Sequence, residues 1–281
     1  MDNDLLVTIG IPFYNDAQYL RYAIASVLNQ SYHNWELILM DDGSCDGSLE
    51  IARSFEDKRI RIISDGLNKG LAARLNEIAI EAKGVYIARM DADDIMTTDR
   101  LEQQVSYLVS HPEVDIVGSS AMIINNKNQI TYSANQAGID TWYIHPSIMG
   151  KASWFRSNPY NVDFKRCQDF ELWTRTSQKS VFYNMHRPLL FYRVQDKLSY
   201  VKVYAAFMAK KKVFFNYRKY NRTWFWSFKK MSMQIVKLVL YKIADMMGMM
   251  SIIERGRWRR KLPDDLLLTN ADLENCITLS H

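Results

Sequence analysis

The sequence predicts an α/β fold in which helices flank a mostly parallel sheet, followed by a basic helical C-terminal extension. Short apolar runs alternate with amphipathic segments up to about residue 120, polar clusters follow several of these runs, and a basic stretch begins near residue 201. Alternating strands and helices predict right-handed crossovers and parallel strand pairing. We therefore expect one α/β domain over residues 1–200 and a basic amphipathic helical region over residues 201–281.

Each element has its own signal. Apolar runs typical of buried strands occupy residues 5–11, 35–40, 60–63, 85–90, 114–118 and 188–193. Helical spacing of apolar residues predicts helices over residues 16–30, 46–55, 71–82 and 100–110, and a helix start near residue 167. Asp16 and Asp46 are expected N-caps, since their carboxylates can accept a hydrogen bond from a first helical turn.

Three carboxylates, Asp91, Asp93 and Asp94, come at the end of the fourth apolar run. Alternate residues of a strand point the same way, so Asp91 and Asp93 can reach one ligand. Hard divalent cations bind carboxylates and complete their shell with substrate phosphates. The pattern favours a metal–diphosphate site, and its alternative is a solvated loop before a helix. Residues 12–15 and 41–42 also end strands, and ligands of such sheets bind at that edge.

Composition limits the classes of protein that fit. Cys45, Cys167 and Cys276 are odd in number and widely spaced, which favours reduced cytosolic thiols over disulfides or a zinc site. No basic segment precedes an apolar run at the N-terminus, so we expect no signal peptide. Residues 201–262 carry 16 Lys and Arg against two acids, a net charge of +14, whereas the whole chain carries +5. Such asymmetry indicates an anionic partner.

The order of motifs resembles the inverting glycosyltransferases of family 2, whose fold is the Rossmann-like GT-A fold. The matching stretches are residues 11–15, 25–32, 41–48, 68–71, 89–94, 145–147 and 168–175. Each stretch alone is common, but the ordered set is specific. The resemblance implies a nucleotide-sugar donor, with a UDP-sugar favoured, a divalent Mn²⁺ or Mg²⁺, and inversion at the anomeric carbon.

The resemblance also implies which residues bind the donor. They are Thr8, Pro12, Tyr14, Asp42, Asn68 and Asp91. Tyr14 would pack its π-face on the base, unless it is a core tyrosine at a strand end. Asp42 would accept the imide N–H of uracil, a task suited to an acceptor-only side chain, although Asp41 is an alternative.

The same resemblance divides the aspartate cluster by role. Asp91 is similar to the carboxylate that meets the ribose, and Asp93 to the metal ligand that meets the diphosphate. Asp94 is open to two interpretations, a supporting residue behind the cluster or the N-cap of the next turn.

Asp169 aligns with the family's catalytic base, which would remove the proton of the acceptor hydroxyl as it attacks the anomeric carbon. The family usually has Glu where this chain has Gln168. We expect Gln168 to orient the acceptor without a charge. Glu171 is the alternative base.

Aromatic and polar residues before the base suggest acceptor contacts. Trp154 and Arg156 lie in a loop suited to stacking on a sugar face, and His145 belongs to an earlier motif. Local packing is the alternative interpretation for all three residues.

The basic extension has the composition of a membrane-surface segment, with Trp and Phe among Lys and Arg. Charged residues interrupt every long apolar window, so we expect no spanning helix. A nucleic-acid partner is not expected, because no nucleic-acid-binding fold accompanies the basic run. Packing against the catalytic domain is the alternative.

The sequence therefore favours a metal-dependent glycosyltransferase of polysaccharide or lipopolysaccharide synthesis, with a saccharide or lipid-linked saccharide acceptor. Its expected place is the cytoplasm, peripheral on the inner face of the plasma membrane. A nucleotidyltransferase and a non-catalytic nucleotide-sugar-binding module are the alternatives.

Overall fold

The computed structural model describes residues 5–134, 143–194, 199–257 and 263–279. The strands are β1 (Val7–Phe13), β2 (Trp35–Asp41), β3 (Ile60–Ile63), β4 (Tyr86–Arg89), β5 (Ile95–Met96), β6 (Ile116–Ile124), β7 (Ile130–Ala134), β8 (Met149–Lys151) and β9 (Phe182–Arg193). The helices are α1 (Leu20–Leu28), α2 (Ser48–Arg53), α3 (Leu71–Glu81), α4 (Arg100–Ser110), α5 (Ala152–Ser157), α6 (Gln168–Thr176), α7 (Tyr200–Phe215), α8 (Trp224–Met246), α9 (Met250–Arg257) and α10 (Asn270–Ile277).

Within the described ranges the strands form one sheet in the order β3-β2-β1-β4-β8-β6-β9-β5, and β7 pairs with β6. Strands β3, β2, β1, β4, β6 and β9 run in one direction, while β5, β7 and β8 run against them. This confirms the prediction of a mostly parallel sheet in an α/β fold. All residues of β1 and β2 are buried, as expected for parallel strands covered on both faces.

Two predicted N-caps do not cap a helix. Asp16 Oδ2 accepts the Tyr14 N–H at 3.1 Å, and α1 begins only at Leu20. Asp46 Oδ1 accepts the Ser48 N–H at 3.0 Å, so it holds the turn before α2, whose N-cap is Gly47. Both carboxylates bind loop N–H groups near the carboxyl ends of β1 and β2, and thereby shape those loops.

The C-terminal region does not form a single extension. Helices α7 and α8 pack on each other and α7 contacts α6, whereas α10 returns to α1. Leu273 and Cys276 of α10 join an apolar cluster with Phe191, and Asn29 Nδ2 donates to the Cys276 carbonyl at 2.9 Å. The last described helix therefore packs with the first domain. Among the described helices, none is both long enough and apolar enough to cross a membrane.

Candidate active site

The carboxyl ends of β1, β2 and β4 lie side by side at one edge of the sheet. Phe13 pairs with Asp41, and Gly10 pairs with Arg89. Directly after these strand ends come residues 14–16, 42 and 91–94. Because ligands of parallel sheets bind at this edge, it is the candidate active site.

The aspartate cluster is held from two strands. Asp91, Asp93 and Asp94 each place one carboxylate oxygen within 4.8 Å of the others. Arg89 of β4 is buried and donates from both terminal nitrogens to Asp91, with Nη1 at 2.9 Å from Oδ2. Arg193 of β9 donates its N–H to Asp94 Oδ1 at 2.8 Å and its Nε to the Asp93 carbonyl at 2.7 Å.

Asp94 supports the cluster from behind. It is fully buried, and its Oδ2 has no hydrogen-bond partner among the described residues. Burial raises the pKa of Asp94 well above its usual value, and the charges of Asp93 and Asp91 raise this pKa further. Helix α4 is preceded by Asp99 at its N-cap position, so the N-cap interpretation of Asp94 is wrong.

The cluster fits a hard divalent cation. Its donors are all carboxylate oxygens, the ligands preferred by Mg²⁺ and Mn²⁺. Three carboxylates this close repel one another unless a cation or protons reduce their charge. The buried, unpartnered Oδ2 of Asp94 indicates the same unmet need for positive charge.

Asp42 binds the loop that carries Asn68. Its Oδ1 accepts the Lys69 N–H at 2.7 Å and Arg74 Nε at 2.9 Å, and its Oδ2 accepts the Gly70 N–H at 3.0 Å. Asp42 is buried. These bonds fix the carboxylate and the loop together at the edge of the predicted base pocket.

Asp41, the alternative base contact, is also engaged. Its Oδ1 accepts the Ser44 N–H at 2.9 Å and its Oδ2 accepts the Ser64 hydroxyl at 2.7 Å. Both adjacent carboxylates therefore have internal partners, and the choice between them for base contact stays a prediction.

Arg74 is a site residue outside the recognised motifs. It is 1% exposed, and besides Asp42 its guanidinium contacts Asp65 at 2.6 Å and Glu77 at 2.7 Å. Its place on the apolar stripe of α3 was a sequence signal, because a buried arginine needs acidic partners.

Tyr14 presents an open ring at the site edge, with 48% of the residue exposed. The following Asn15 has a left-handed backbone, with φ of 56°. Its side-chain oxygen accepts the Cys45 N–H at 2.9 Å, which ties this loop to the one after β2. Pro12 lies buried just before this loop. The arrangement leaves room for a planar ligand on Tyr14.

Thr8 lies at the other end of β1. It is fully buried, its hydroxyl donates to Glu36 at 2.7 Å, and the same oxygen accepts the Gly84 N–H at 2.9 Å. A strand advances about 3.3 Å per residue, so five residues separate Thr8 from Phe13 by roughly 16 Å. At this distance from the active-site edge, Thr8 is unlike a donor contact, contrary to the prediction. Thr8 is not part of the site proposed below.

Asp169 lies in the first turn of α6, where Cys167 before the helix has φ of 56°. It is partly buried and, within the described residues, its carboxylate makes no hydrogen bond or ion pair. Burial raises the pKa of Tyr160, and the charges of Asp169 and Asp91 both raise it further. Tyr160 is therefore close enough to Asp169 and to Asp91 for both charges to affect its hydroxyl. Gln168, next to the base, is buried.

His145 is held by the same tyrosine. Its Nε2 lies 2.8 Å from the Tyr160 hydroxyl, and burial, with a smaller effect of the Arg89 charge, lowers the pKa of His145 well below its usual value. His145 is therefore neutral near pH 7 and positions Tyr160, which the motifs did not single out.

Glu171, the alternative base, points into a packed region. It is 1% exposed and forms an ion pair with Arg175 at 3.0 Å. Burial raises the pKa of Tyr220, and the nearby Glu171 raises it further. These partners favour a structural role and leave Asp169 as the better candidate.

Trp154 and Arg156 lie beside the carboxyl end of α3, whose amino end is at the active-site edge. Trp154 is buried and donates to Ser180 Oγ at 2.8 Å, and Arg156 donates to the carbonyls of Ala79 at 3.0 Å and Ala82 at 2.6 Å. Their place at the far edge of the sheet speaks against the predicted acceptor contacts. Both residues instead join α5 to its neighbours.

Residues 8–174 match the family described as Glycosyl transferase family 2. The chain belongs to this family. Its relatives include EpsE of Bacillus subtilis, named as a glycosyltransferase, at 36% identity over 70% of this chain and 75% of EpsE. WfgD of Escherichia coli, named a UDP-Glc:α-D-GlcNAc-diphosphoundecaprenol β-1,3-glucosyltransferase, is 31% identical over 61% of this chain and 69% of its own. The chain is therefore a glycosyltransferase of bacterial surface-polysaccharide type.

Solved structures of other proteins share the GT-A fold of this chain. Residues 1–349 of Staphylococcus aureus TarS with UDP-GlcNAc superpose with a TM-score of 0.63 at 12% identity, covering 75% of this chain and 66% of that one. A mannosyltransferase of Pyrobaculum calidifontis with GDP-Man and Mn²⁺ gives 0.58 at 15% identity, over 96% and 85%. At these identities the likeness supports the fold alone.

Proposed function

We propose that this glycosyltransferase moves a sugar from a nucleotide-sugar, with a UDP-sugar favoured, to a hydroxyl of a lipid-linked saccharide, by a metal-assisted inverting displacement. One observation carries the proposal: Asp91, Asp93 and Asp94 each place one carboxylate oxygen within 4.8 Å of the others, beside the strand ends where ligands of parallel sheets bind. A base that removes the acceptor proton and a cation-binding cluster that offsets charge on the leaving group suit attack on one side of a sugar and departure on the other.

The donor would lie along the edge formed by β1, β2 and β4. Tyr14 would stack on the base, Asp42 would accept its imide N–H, and the backbone around Asn68 would close the pocket. Asp91, held by Arg89 at 2.9 Å, would accept the ribose hydroxyls. UDP is favoured because WfgD, a relative at 31% identity, is named for a UDP-Glc donor.

Asp93 would be the main ligand of Mn²⁺ or Mg²⁺, beside Asp91 and Asp94. When bound, such an ion offsets the negative charge that grows on the leaving diphosphate. Arg193 keeps the Asp93 backbone in place through its carbonyl. The bond that breaks joins the anomeric carbon to the diphosphate oxygen, and the nucleoside diphosphate leaves with that electron pair.

Asp169 would take the proton of the acceptor hydroxyl as its oxygen bonds to the anomeric carbon. Because a single displacement forms no covalent sugar–enzyme intermediate, the configuration inverts. Gln168 would orient the acceptor by hydrogen bonds, without the charge that the family's usual Glu supplies. Gln168→Ala should raise the acceptor KM, and unchanged acceptor kinetics would refute this role.

The acceptor is proposed to be lipid-linked because WfgD, a relative, is named for a diphosphoundecaprenol-linked acceptor. Helix α8 presents a surface suited to a membrane, termed here the apolar face. Its exposed residues are Trp224, Phe225, Phe228, Ile235, Val236, Val239, Leu240, Ile243 and Met246. A patch of this size seldom stays in water without a partner. The lysines of α8 would attract anionic lipid headgroups at the inner face of the plasma membrane.

Flotation with vesicles tests the membrane part of the proposal. Wild type should float with phosphatidylglycerol vesicles, and Val239→Asp/Ile243→Asp on the apolar face should float poorly. Ile80→Asp/Val109→Asp changes two exposed apolar residues elsewhere and should float as wild type does. Equal flotation of the apolar-face variant and wild type would refute a role for α8.

A panel of nucleotide-sugars tests the enzyme function. A bound donor stabilises the fold by mass action, so one nucleotide-sugar should raise the Tm in the presence of Mn²⁺. The enzyme should also hydrolyse that nucleotide-sugar slowly, with water in place of the acceptor, and release its nucleoside diphosphate. Release of pyrophosphate from a nucleoside triphosphate would instead favour a nucleotidyltransferase. If no nucleotide-sugar binds or turns over, the proposed function fails.

A further inference from the structure

We propose that the cleft between residues 161–165 and helix α7 binds the diphosphate of the lipid-linked acceptor. The inference rests on the proposed function and deepens it by assigning a second phosphate-binding site, distinct from the one for the donor. The cleft has a volume of about 640 Å³. It lies in the loop that leads to α6 and in the basic extension that follows β9.

The charge of the cleft fits such a ligand. Lys165, Lys212 and Lys219 line it with a single acid, Asp163, so the lining is positive by two charges. A diphosphate esterified at both ends carries two negative charges. None of the three lysines forms an ion pair within the described part of the chain, so their charge is available to a ligand. Lysine is a common phosphate ligand that acts as a point charge.

The floor of the cleft connects it to the base. Phe164 and Tyr220 line the cleft and are buried in one apolar cluster with Phe170, the residue after Asp169. Burial raises the pKa of Tyr220, and Glu171 in the same first turn of α6 raises it further, so Tyr220 is close to this turn. The cleft is therefore next to the turn that carries Asp169. A diphosphate bound there would hold the acceptor's first sugar by its reducing end while a hydroxyl of that sugar reaches the base.

The segment that lines the other side of the cleft continues into the helix that carries the apolar face. Lys212 is near the end of α7, Lys219 is in the turn that follows, and α8 begins at Trp224. Trp226 of α8 packs on Phe214 of the cluster under the cleft, with ring centroids 5.9 Å apart. From α8 back to α6, the order of features is the apolar face, the basic cleft and the base. This order matches that of lipid, diphosphate and sugar in the acceptor.

The test measures binding of farnesyl diphosphate, a soluble lipid diphosphate, to the full chain in EDTA, where the donor site lacks its metal. Farnesol and inorganic pyrophosphate are the comparison ligands. Lys165→Gln/Lys212→Gln/Lys219→Gln should weaken farnesyl diphosphate binding by at least about tenfold, since three charge-assisted contacts are lost. The control Lys58→Gln/Lys127→Gln/Lys179→Gln removes the same charge at exposed sites elsewhere and should bind as wild type does.

The inference is wrong if the cleft variant binds farnesyl diphosphate as tightly as wild type does, or if the control variant loses as much affinity as the cleft variant. It is also wrong if farnesol binds wild type as tightly as farnesyl diphosphate does. A cleft variant that binds farnesyl diphosphate normally and fails only to bind phosphatidylglycerol vesicles would likewise overturn it. The Tm shift given by the donor with Mn²⁺ separates this inference from the function on which it rests. If the donor shifts the Tm of the cleft variant as it does that of wild type, and the cleft variant still binds farnesyl diphosphate normally, only the assignment of the cleft is wrong. If wild type shows no donor shift, the proposed function itself fails.

Discussion

The proposed donor side and the proposed acceptor side of the site differ in how their carboxylates are held. On the donor side, Asp42 and Asp91 are each bound by a buried arginine, Arg74 or Arg89. On the acceptor side, Asp169 is partly exposed and makes no hydrogen bond or ion pair with the described residues. The first side has fixed geometry before any ligand arrives, whereas the second leaves its carboxylate open to an incoming hydroxyl.

The difference has a chemical reason. A nucleotide diphosphate offers the same charges and hydrogen-bonding groups in every reaction of this kind, so buried partners can hold its ligands rigidly. A general base must exchange a proton with the acceptor and cannot be occupied by a permanent partner. Removing the base should therefore affect turnover alone, and removing a donor-side residue should affect binding as well.

The largest effect is expected for Asp169→Asn. Loss of the general base should lower kcat by about 10³-fold, within the range for such groups. The Tm shift given by donor and Mn²⁺ should stay at the wild-type value. Glu171→Gln is the comparison, and a greater loss of kcat there than at Asp169 would refute the assignment of the base.

Asp93→Asn should abolish the part of donor binding that depends on metal. We expect at least about a hundredfold loss of turnover, because charge on the leaving diphosphate is no longer offset. Chelation of the wild type with EDTA should have a similar effect, and added Mn²⁺ should restore wild type but not the variant. A variant with a normal Mn²⁺-dependent Tm shift would show that Asp93 is not the metal ligand.

Arg74→Met should destabilise the fold by about 3 kcal/mol, since it leaves Asp42 buried without its charged partner. Urea unfolding measures this change. The control is Arg187→Met, whose side chain is 50% exposed in its ion pair with Asp99, and an exposed ion pair contributes about 1 kcal/mol or less. Equal stability changes in the two variants would mean that the buried arginine does not hold the donor side.

The smallest effect concerns pH. Burial lowers the pKa of His145 below its usual 6.5, so below about pH 6.5 the unfolded chain binds a proton that the folded chain does not. The free energy of unfolding should therefore fall as pH drops below 6.5, by at most about 1.4 kcal/mol per pH unit, and this contribution is absent above pH 7.5.

Urea unfolding at pH 7.5, 6.5 and 5.5 checks the sign. His145→Asn should reduce the dependence on pH, whereas His33→Asn at an exposed position should leave it unchanged. Equal slopes for His145→Asn and wild type would contradict the account of this histidine.

The sequence could predict features that depend on neighbouring residues, but not contacts between residues far apart in the chain. The aspartate cluster and the alternating strands are local patterns, and the structure has both. The bond from Arg74 to Asp42 joins residues 32 apart in sequence, and the carbonyl bond from Arg193 to Asp93 joins residues 100 apart. No short motif contains such pairs.

Thr8 and Trp154 show another limit. Both residue types suit ligand binding, but Thr8 is at the wrong end of its strand and Trp154 is beside the far end of α3. A motif specifies residue types without stating which edge of the sheet they occupy.

The most direct test of the central claim is the anomeric configuration of the transferred sugar. With a donor found by the nucleotide-sugar panel, NMR of the first product reports whether the anomeric bond has changed its orientation. A single displacement assisted by Asp169 predicts inversion, so an α-linked donor gives a β-linked product. A product that retains the configuration of the donor would contradict the proposed mechanism.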